Sequence, residues 1–262
     1  MNKVITFFAF LFFMSCNNNK QEQTEKKENN ERATKATNPK ISITLCQKFE
    51  TLNNAIRDNK IGFGSALKEI QNQIPKIKSE YYKQGGKDWK EDTWIFPLKG
   101  YNLSAIGGGN VNGYIASGYN YFDGNKHGGH PAHDIFIQDN NQDCKDDRTN
   151  KYVSVLSLSG GIVLAIENNW DTSSQLRGGK YVWIFDPYTN SLFYYAHNNK
   201  ILVKSGQLIT PGQTIATVGR SGLNAYKKRS PTHLHFTQLK FDYNLYPKPV
   251  DPYKILLAAK IH

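Results

Sequence analysis

From Trp94 onward the chain is a succession of short runs rich in β-branched and aromatic residues, alternating with glycine turns: VSVLSL, GGIVLAIE, KYVWIFD, SLFYYAH, QTIATVG and THLHFTQL. No stretch among them keeps a 3.6-residue period for longer than about ten residues, so the runs read as strands of antiparallel sheet. Ser159-Gly160-Gly161, the Asp186–Asn190 segment and Pro211-Gly212 read as hairpin turns. The expectation is a mainly β domain over residues 88–253.

Ahead of it, residues 41–86 carry a helical pattern. Leu45, Phe49, Leu52, Ala55 and Ile56 recur at three- and four-residue intervals, and so do Ala66, Ile70, Ile74 and Ile77. Gly62 and Gly64 mark a turn between two helices, and Pro75 is expected to bend or end the second. This small helical preface either packs on the main domain or acts as a spacer.

The N-terminal stretch MNKVITFFAFLFFMSC is set aside from the fold. Lys3 followed by an apolar run too short to span a bilayer has the form of a signal peptide over residues 1–15. Phe13-Met14-Ser15-Cys16 resembles a bacterial lipobox, which makes Cys16 the lipidated residue and a membrane the anchoring partner. Residues 16–40 have almost no aliphatic and no aromatic side chains, the composition of a disordered tether. An exported lipoprotein of this kind faces the periplasm from the outer membrane or is displayed at the cell surface. The 33 Lys+Arg against 22 Asp+Glu fit an acidic polymer. For an exported chain that polymer is cell-wall material, and no nucleic acid is expected. The spacing of Cys46 and Cys144 does not call for a disulfide.

The chain has seven histidines, and three fall in HGGHPAHD at 127–134. In a straight strand His130 and Asp134 share a face but stand ~13 Å apart, too far for one ion. A bend at Gly129 and Pro131 would fold His130 back over Asp134. His127 then lies at a groove edge and His133 faces the opposite side. His233 and His235 lie two apart in a strand, with ring-bearing carbons ~6–7 Å apart on one face. One can ligate while the other stands beside the ion. Two histidines and an aspartate leave a fourth position open, as in catalytic zinc sites. Asp139, Asn141, Asp143 and Asp147 imitate part of a calcium loop, with Cys144 and Asn150 where an EF-hand needs Gly and Glu. Calcium at Asp139, Asn141 and Asp143 is a secondary candidate.

H-x-x-x-D at 130–134, Tyr-Ala-His at 195–197, Pro-Gly-Gln at 211–213, Gly-Arg-Ser-Gly at 219–222 and His-Leu-His-Phe at 233–236 occur in this order. In these motifs the sequence resembles the lysostaphin-like (LytM-type) zinc metallopeptidases that cut peptidoglycan peptides, over roughly residues 94–251. The resemblance implies a small antiparallel β domain of the duplicated hybrid motif type with an open groove. It implies His130, Asp134 and His235 as ligands of one Zn²⁺, with His197 and His233 as a catalytic pair off the metal. Their division of labour is open. The chain departs from the family pattern at Ala132, where glycine is usual, and at His133, where an aliphatic residue is usual. Some family members carry an asparagine that touches the zinc in a latent form; Asn110, in the glycine-rich 105–113 loop, is the local candidate. The 168–179 loop, with Trp170 and Gly178-Gly179, is a candidate groove wall. The implied activity is a zinc-dependent endopeptidase acting on peptide cross-links or stem peptides of peptidoglycan. The alternative is a catalytically silent module of the same fold that binds the wall or activates another wall hydrolase.

Overall fold

A computed structural model describes residues 39–107 and 113–262. Cys16 with its signal and tether, and Asn110, lie outside the described residues. Two helices, α1 (Pro39–Arg57) and α2 (Phe63–Lys83), precede twelve strands, and a short α3 (Tyr253–Ala258) follows them. The strands are β1 (Ala132–Phe136), β2 (Lys145–Asp146), β3 (Lys151–Tyr152), β4 (Ser154–Leu156), β5 (Gly161–Glu167) and β6 (Tyr181–Asp186), then β7 (Ser191–Ala196), β8 (Lys200–Ile201), β9 (Leu208–Ile209), β10 (Thr214–Thr217), β11 (His233–Phe241) and β12 (Pro247–Val250). The fold is mainly antiparallel β behind a short helical segment. Among the described residues no helix is long and apolar enough to cross a membrane.

The large sheet runs β1-β11-β7-β6-β5-β9, with β12 also paired to β11, and a small sheet runs β4-β10-β8. Strand alternation sends successive side chains of the large sheet to two different cores. Val163, Ile184, Phe193, Tyr195 and Phe236 pack with Trp94, Val155 and Ile215 on the side of the small sheet. Ile162, Leu164, Trp183, Phe185 and Leu192 pack against Phe49, Leu52, Ile56, Ile70 and Ile74 of the helices. Because both faces are covered, β5 and β6 read as nearly continuous apolar runs rather than alternating ones. The helical segment therefore forms a layer of the fold.

Three local expectations change. Pro75 lies inside α2, which runs on to Lys83. Proline costs a helix interior ~3 kcal/mol, but Ile70, Ile74 and Ile77 on the buried face contribute about 1.5–3 kcal/mol each. Packing outweighs the lost hydrogen bond, and Pro75 itself faces solvent. The Pro211-Gly212 turn does not close a hairpin: β9 pairs with β5, whereas β10 pairs with β4 and β8. Ser159–Gly161 likewise carries the chain from the small sheet to the large one. Of these three turns, 187–190 alone closes a hairpin, with Asp186 opposite Ser191. At the other end, Lys260 N donates to Trp94 O and Gly100 N to His262 O, which ties the chain terminus to the 94–100 segment.

Candidate metal centre

The central ladder of the site is the pairing of β1 with β11, in which Asp134 stands opposite His235. β11 pairs on its other edge with β7, where His235 faces Ala196. One row across three strands thus brings Asp134, His235 and the residue before His197 together. His130 precedes β1 and reaches the row through a bend. Gly129 has φ +66°, and a Cβ there would stand 2.6 Å from the carbonyl oxygens of Ile115 and Ser117. Ala132 N donates to His130 O across Pro131, a three-residue turn. His130 itself is clamped to Ile115 by backbone hydrogen bonds in both directions.

The bend places Nε2 of His130 3.4 Å from Oδ1 of Asp134, and Nδ1 of His235 lies 3.0 Å from the same oxygen. The three ligand atoms all fall within 4.8 Å of one another. Zinc bonds of about 2.0–2.1 Å in tetrahedral array put neighbouring ligand atoms about 3.3 Å apart, so the donor set and its spacing fit a small divalent cation. Among the described residues, this is the group of three that could hold a metal ion. Nδ1 of His130 is turned to the carbonyl of Gly113, which leaves Nε2 as the atom open to an ion.

Electrostatics agree with that donor set. Burial opposes ionisation of Asp134, yet hydrogen bonds from His130 and His235 and the charges of His235 and His233 hold its carboxyl far below the usual carboxylate range. Burial pushes His235 down despite the aspartate, toward the neutral imidazole that a metal requires. For His130, burial is outweighed by the hydrogen bond and charge of Asp134, so its pKa is raised.

His197 and His233 stand beside the three. Their ring centroids are 4.8 Å apart, and His197 is 5.4 Å from His235. Nδ1 of His197 donates to Ser221 O at 2.8 Å, and Nδ1 of His233 donates to Pro231 O at 2.8 Å. A carbonyl can only accept, so each neutral ring carries its proton on Nδ1 and leaves Nε2 with a lone pair. His197 has φ 63°, left-handed for a residue with a side chain, at a cost of ~1–2 kcal/mol. The conformation turns its ring off the end of β7 and back toward β11. Burial, then the neighbouring His233 and His235, push its pKa well below the usual histidine value.

The remaining histidines are set apart. His127 lines the groove and packs edge-on against Tyr119. His133 is fully buried on the other face of β1, with Nε2 2.9 Å from Asp251 Oδ1. The calcium reading finds no support. The Asp139 carboxylate accepts the amides of Asp143 and Cys144 and the Thr232 hydroxyl, so loop closure occupies its oxygens. No disulfide joins Cys46, on the buried face of α1, to Cys144 in that loop.

The site opens into a groove of about 740 Å³. Arg177 and Gly178 of the 168–179 loop and Tyr194 of β7 line it. Loop composition points to that segment only in general; nothing in the sequence singles out Arg177 or Tyr194.

Residues 143–252 match the model of peptidase family M23. The matched stretch holds His197, His233 and His235, while His130 and Asp134 precede it and join through the β1–β11 ladder. The chain is also similar to a lipoprotein NlpD/LppB homolog of Pseudomonas aeruginosa, 32% identical over 102 residues, which is 39% of this chain and 29% of that protein. Among solved structures, a LytM protein of Ruminococcus gnavus is 21% identical, with 86% of this chain and 88% of that one covered at TM-score 0.44. The catalytic domain of lysostaphin from Staphylococcus simulans is 23% identical, with 61% and 92% covered at TM-score 0.36. The helices α1 and α2 pack on the large sheet that carries these histidines.

Proposed function

We propose that the protein is a zinc-dependent endopeptidase that hydrolyses peptides of bacterial peptidoglycan, exported and held to a membrane by lipid on Cys16. The observation that carries this reading is the grouping of three ligand atoms within 4.8 Å with two imidazoles alongside whose Nε2 atoms are free of backbone partners. The name of the Pseudomonas aeruginosa relative, a lipoprotein, supports the anchoring read from Phe13-Met14-Ser15-Cys16. The outer membrane, facing the periplasm or the cell surface, is the proposed location.

His130, Asp134 and His235 would hold the ion. When bound, zinc supplies Lewis-acid chemistry, acidifying a water and polarising a carbonyl. The chain's own residues do the rest. His197 and His233, each oriented by its Nδ1–H bond to a carbonyl, present Nε2 to the groove. One accepts a proton from the attacking water and delivers it to the departing amine, and the other, protonated on Nε2, donates to the oxyanion of the tetrahedral intermediate. The test is dye release from labelled peptidoglycan by the purified protein. Release that stops with a chelator and returns with zinc is expected. No release under any metal condition selects the silent wall-binding or activator module.

A further inference from the structure

A second cavity, of about 670 Å³, adjoins the groove and shares His127, Arg177, Gly178, Tyr194 and His235 with it. Its far wall is α1, through Asn53, Ile56 and Arg57. Tyr119, Tyr181 and Trp183 also line it. The cavity thus begins at the metal ligand His235 and ends on the helical layer.

Two arginines line this cavity, and they differ in one respect. Arg57 is neutralised, with Nε 2.7 Å from Asp58 Oδ1 and Nη1 2.8 Å from Glu167 Oε2. Arg177 gives Nη1 to the backbone carbonyl of His127 at 2.6 Å. Among the described residues no carboxylate lies within ion-pair distance of it. A half-buried guanidinium satisfied by a carbonyl alone keeps its full charge and its remaining donors, and the geometry of that fork matches a carboxylate. Tyr119 and Tyr194, each with a phenol hydroxyl, line the same space. Arg177 lines both cavities, so a ligand group it holds stays close to the metal ligands.

We propose that Arg177 is a specificity residue that receives a carboxylate of the substrate, so that the peptide cleaved carries a free carboxylate close to the scissile bond and is not a neutral glycine bridge. This rests on the peptidase reading above for the cleavage, but the binding does not depend on it. The carboxylate could be a peptide C-terminus or an acidic side chain, and two pairs of probes separate these. The first pair is N-acetyl-tetraalanine with a free C-terminus and the same peptide as its carboxamide. The second is N-acetyl-Ala-Glu-Ala-Ala-amide and its glutamine counterpart.

Affinity is measured by calorimetry on the full protein after chelator treatment, where no cleavage interferes. At least one acid is expected to bind about tenfold or more tightly than its amide partner, the range of a charge-assisted pair. Arg177→Met should bring that acid down to the level of its amide, and Arg177→Lys should restore part of the preference. Equal binding of acid and amide in both pairs by the unmodified protein, or no binding of any probe, overturns the proposal without reliance on a variant. A preference that survives Arg177→Met also overturns it. On the zinc-loaded protein, cleavage of acid and amide with equal kcat/KM sinks the proposal and leaves the peptidase. An acid preference in binding without cleavage of any peptide or of peptidoglycan sinks the peptidase and leaves the carboxylate site.

Discussion

Asp134 and His235 face each other directly across the β1–β11 ladder, with Oδ1 3.0 Å from Nδ1. Two of the three proposed ligands are therefore fixed by strand register, and a slip of one residue would turn either side chain to the opposite face. Replacing Asp134 by Asn keeps the shape and removes the charge. Zinc affinity is expected to fall by more than about 100-fold, beyond the 10–100-fold loss usual for outer-shell partners, with the circular dichroism spectrum unchanged. Zinc titration against a chromogenic chelator measures this, and unchanged affinity would remove Asp134 from the ligand set.

The bond to Ser221 O holds His197 beside the three proposed ligands. His197→Ala should keep one zinc per chain by elemental analysis while kcat drops by about 10²–10⁴, the range for a general acid or base. Loss of the metal in this variant would make His197 a ligand instead.

Gly222 lies beside the same bond, with φ +115° and room for no side chain. A Cβ there would sit 2.3 Å from Arg177 O and 2.9 Å from Nδ1 of His197. Gly222→Ala is expected to cost about 1–3 kcal/mol in urea denaturation and to lower kcat by displacing His197. A variant with unchanged stability and rate would contradict the packing around that ring.

Asp146 offers a pH test. The Arg148 guanidinium, at 2.5 Å, overcomes a smaller opposing effect of burial and, with the Tyr101 hydroxyl, holds its carboxyl down at about 2, against an ordinary 3.8. A depressed carboxyl stabilises the fold above the unfolded value, and that stability fades as pH falls from about 4 toward 2. The full difference is worth about 2 kcal/mol; since Arg148 is half exposed, about 1 kcal/mol is expected. Asp146→Asn should lose that amount at pH 7 and show a flatter decline between pH 4 and 2 in denaturant titrations.

Cys144 offers a chemical one. Burial, then the charge of Asp139, pushes its thiol up to about 11. At pH 8 its alkylation by iodoacetamide should run roughly a hundredfold slower than that of an ordinary thiol, because only the thiolate reacts. Reaction at the ordinary rate would mean that the 139–150 loop opens readily.

What the sequence disclosed depended on whether the information was local. The period of two puts His233 and His235 on one face of a strand, and Gly129 with Pro131 signals the bend that returns His130 to Asp134. Pro211-Gly212 looks like a hairpin because its turn chemistry is local, whereas the partners of β9 and β10 lie in different sheets. The apolar pattern around Pro75 spans both sides of the residue, and the packing it encodes decided the helix. The left-handed turn at His197, its bond to Ser221 and the placement of Arg177 all join segments distant in the chain. No spacing rule reports such contacts. Asp139 shows the converse: acidic spacing was legible, but its oxygens are taken by the loop's own amides.

The wall that α1 lends to the second cavity comes from a stretch of chain that contributes no ligand and no catalytic imidazole. The row of Asp134 and His235 belongs to β1 and β11 alone, while its cover on the far side of the sheet is drawn from residues 39–83. Trimming the protein to its β strands would remove that wall of the cavity and bare Trp183 and Phe185 to water.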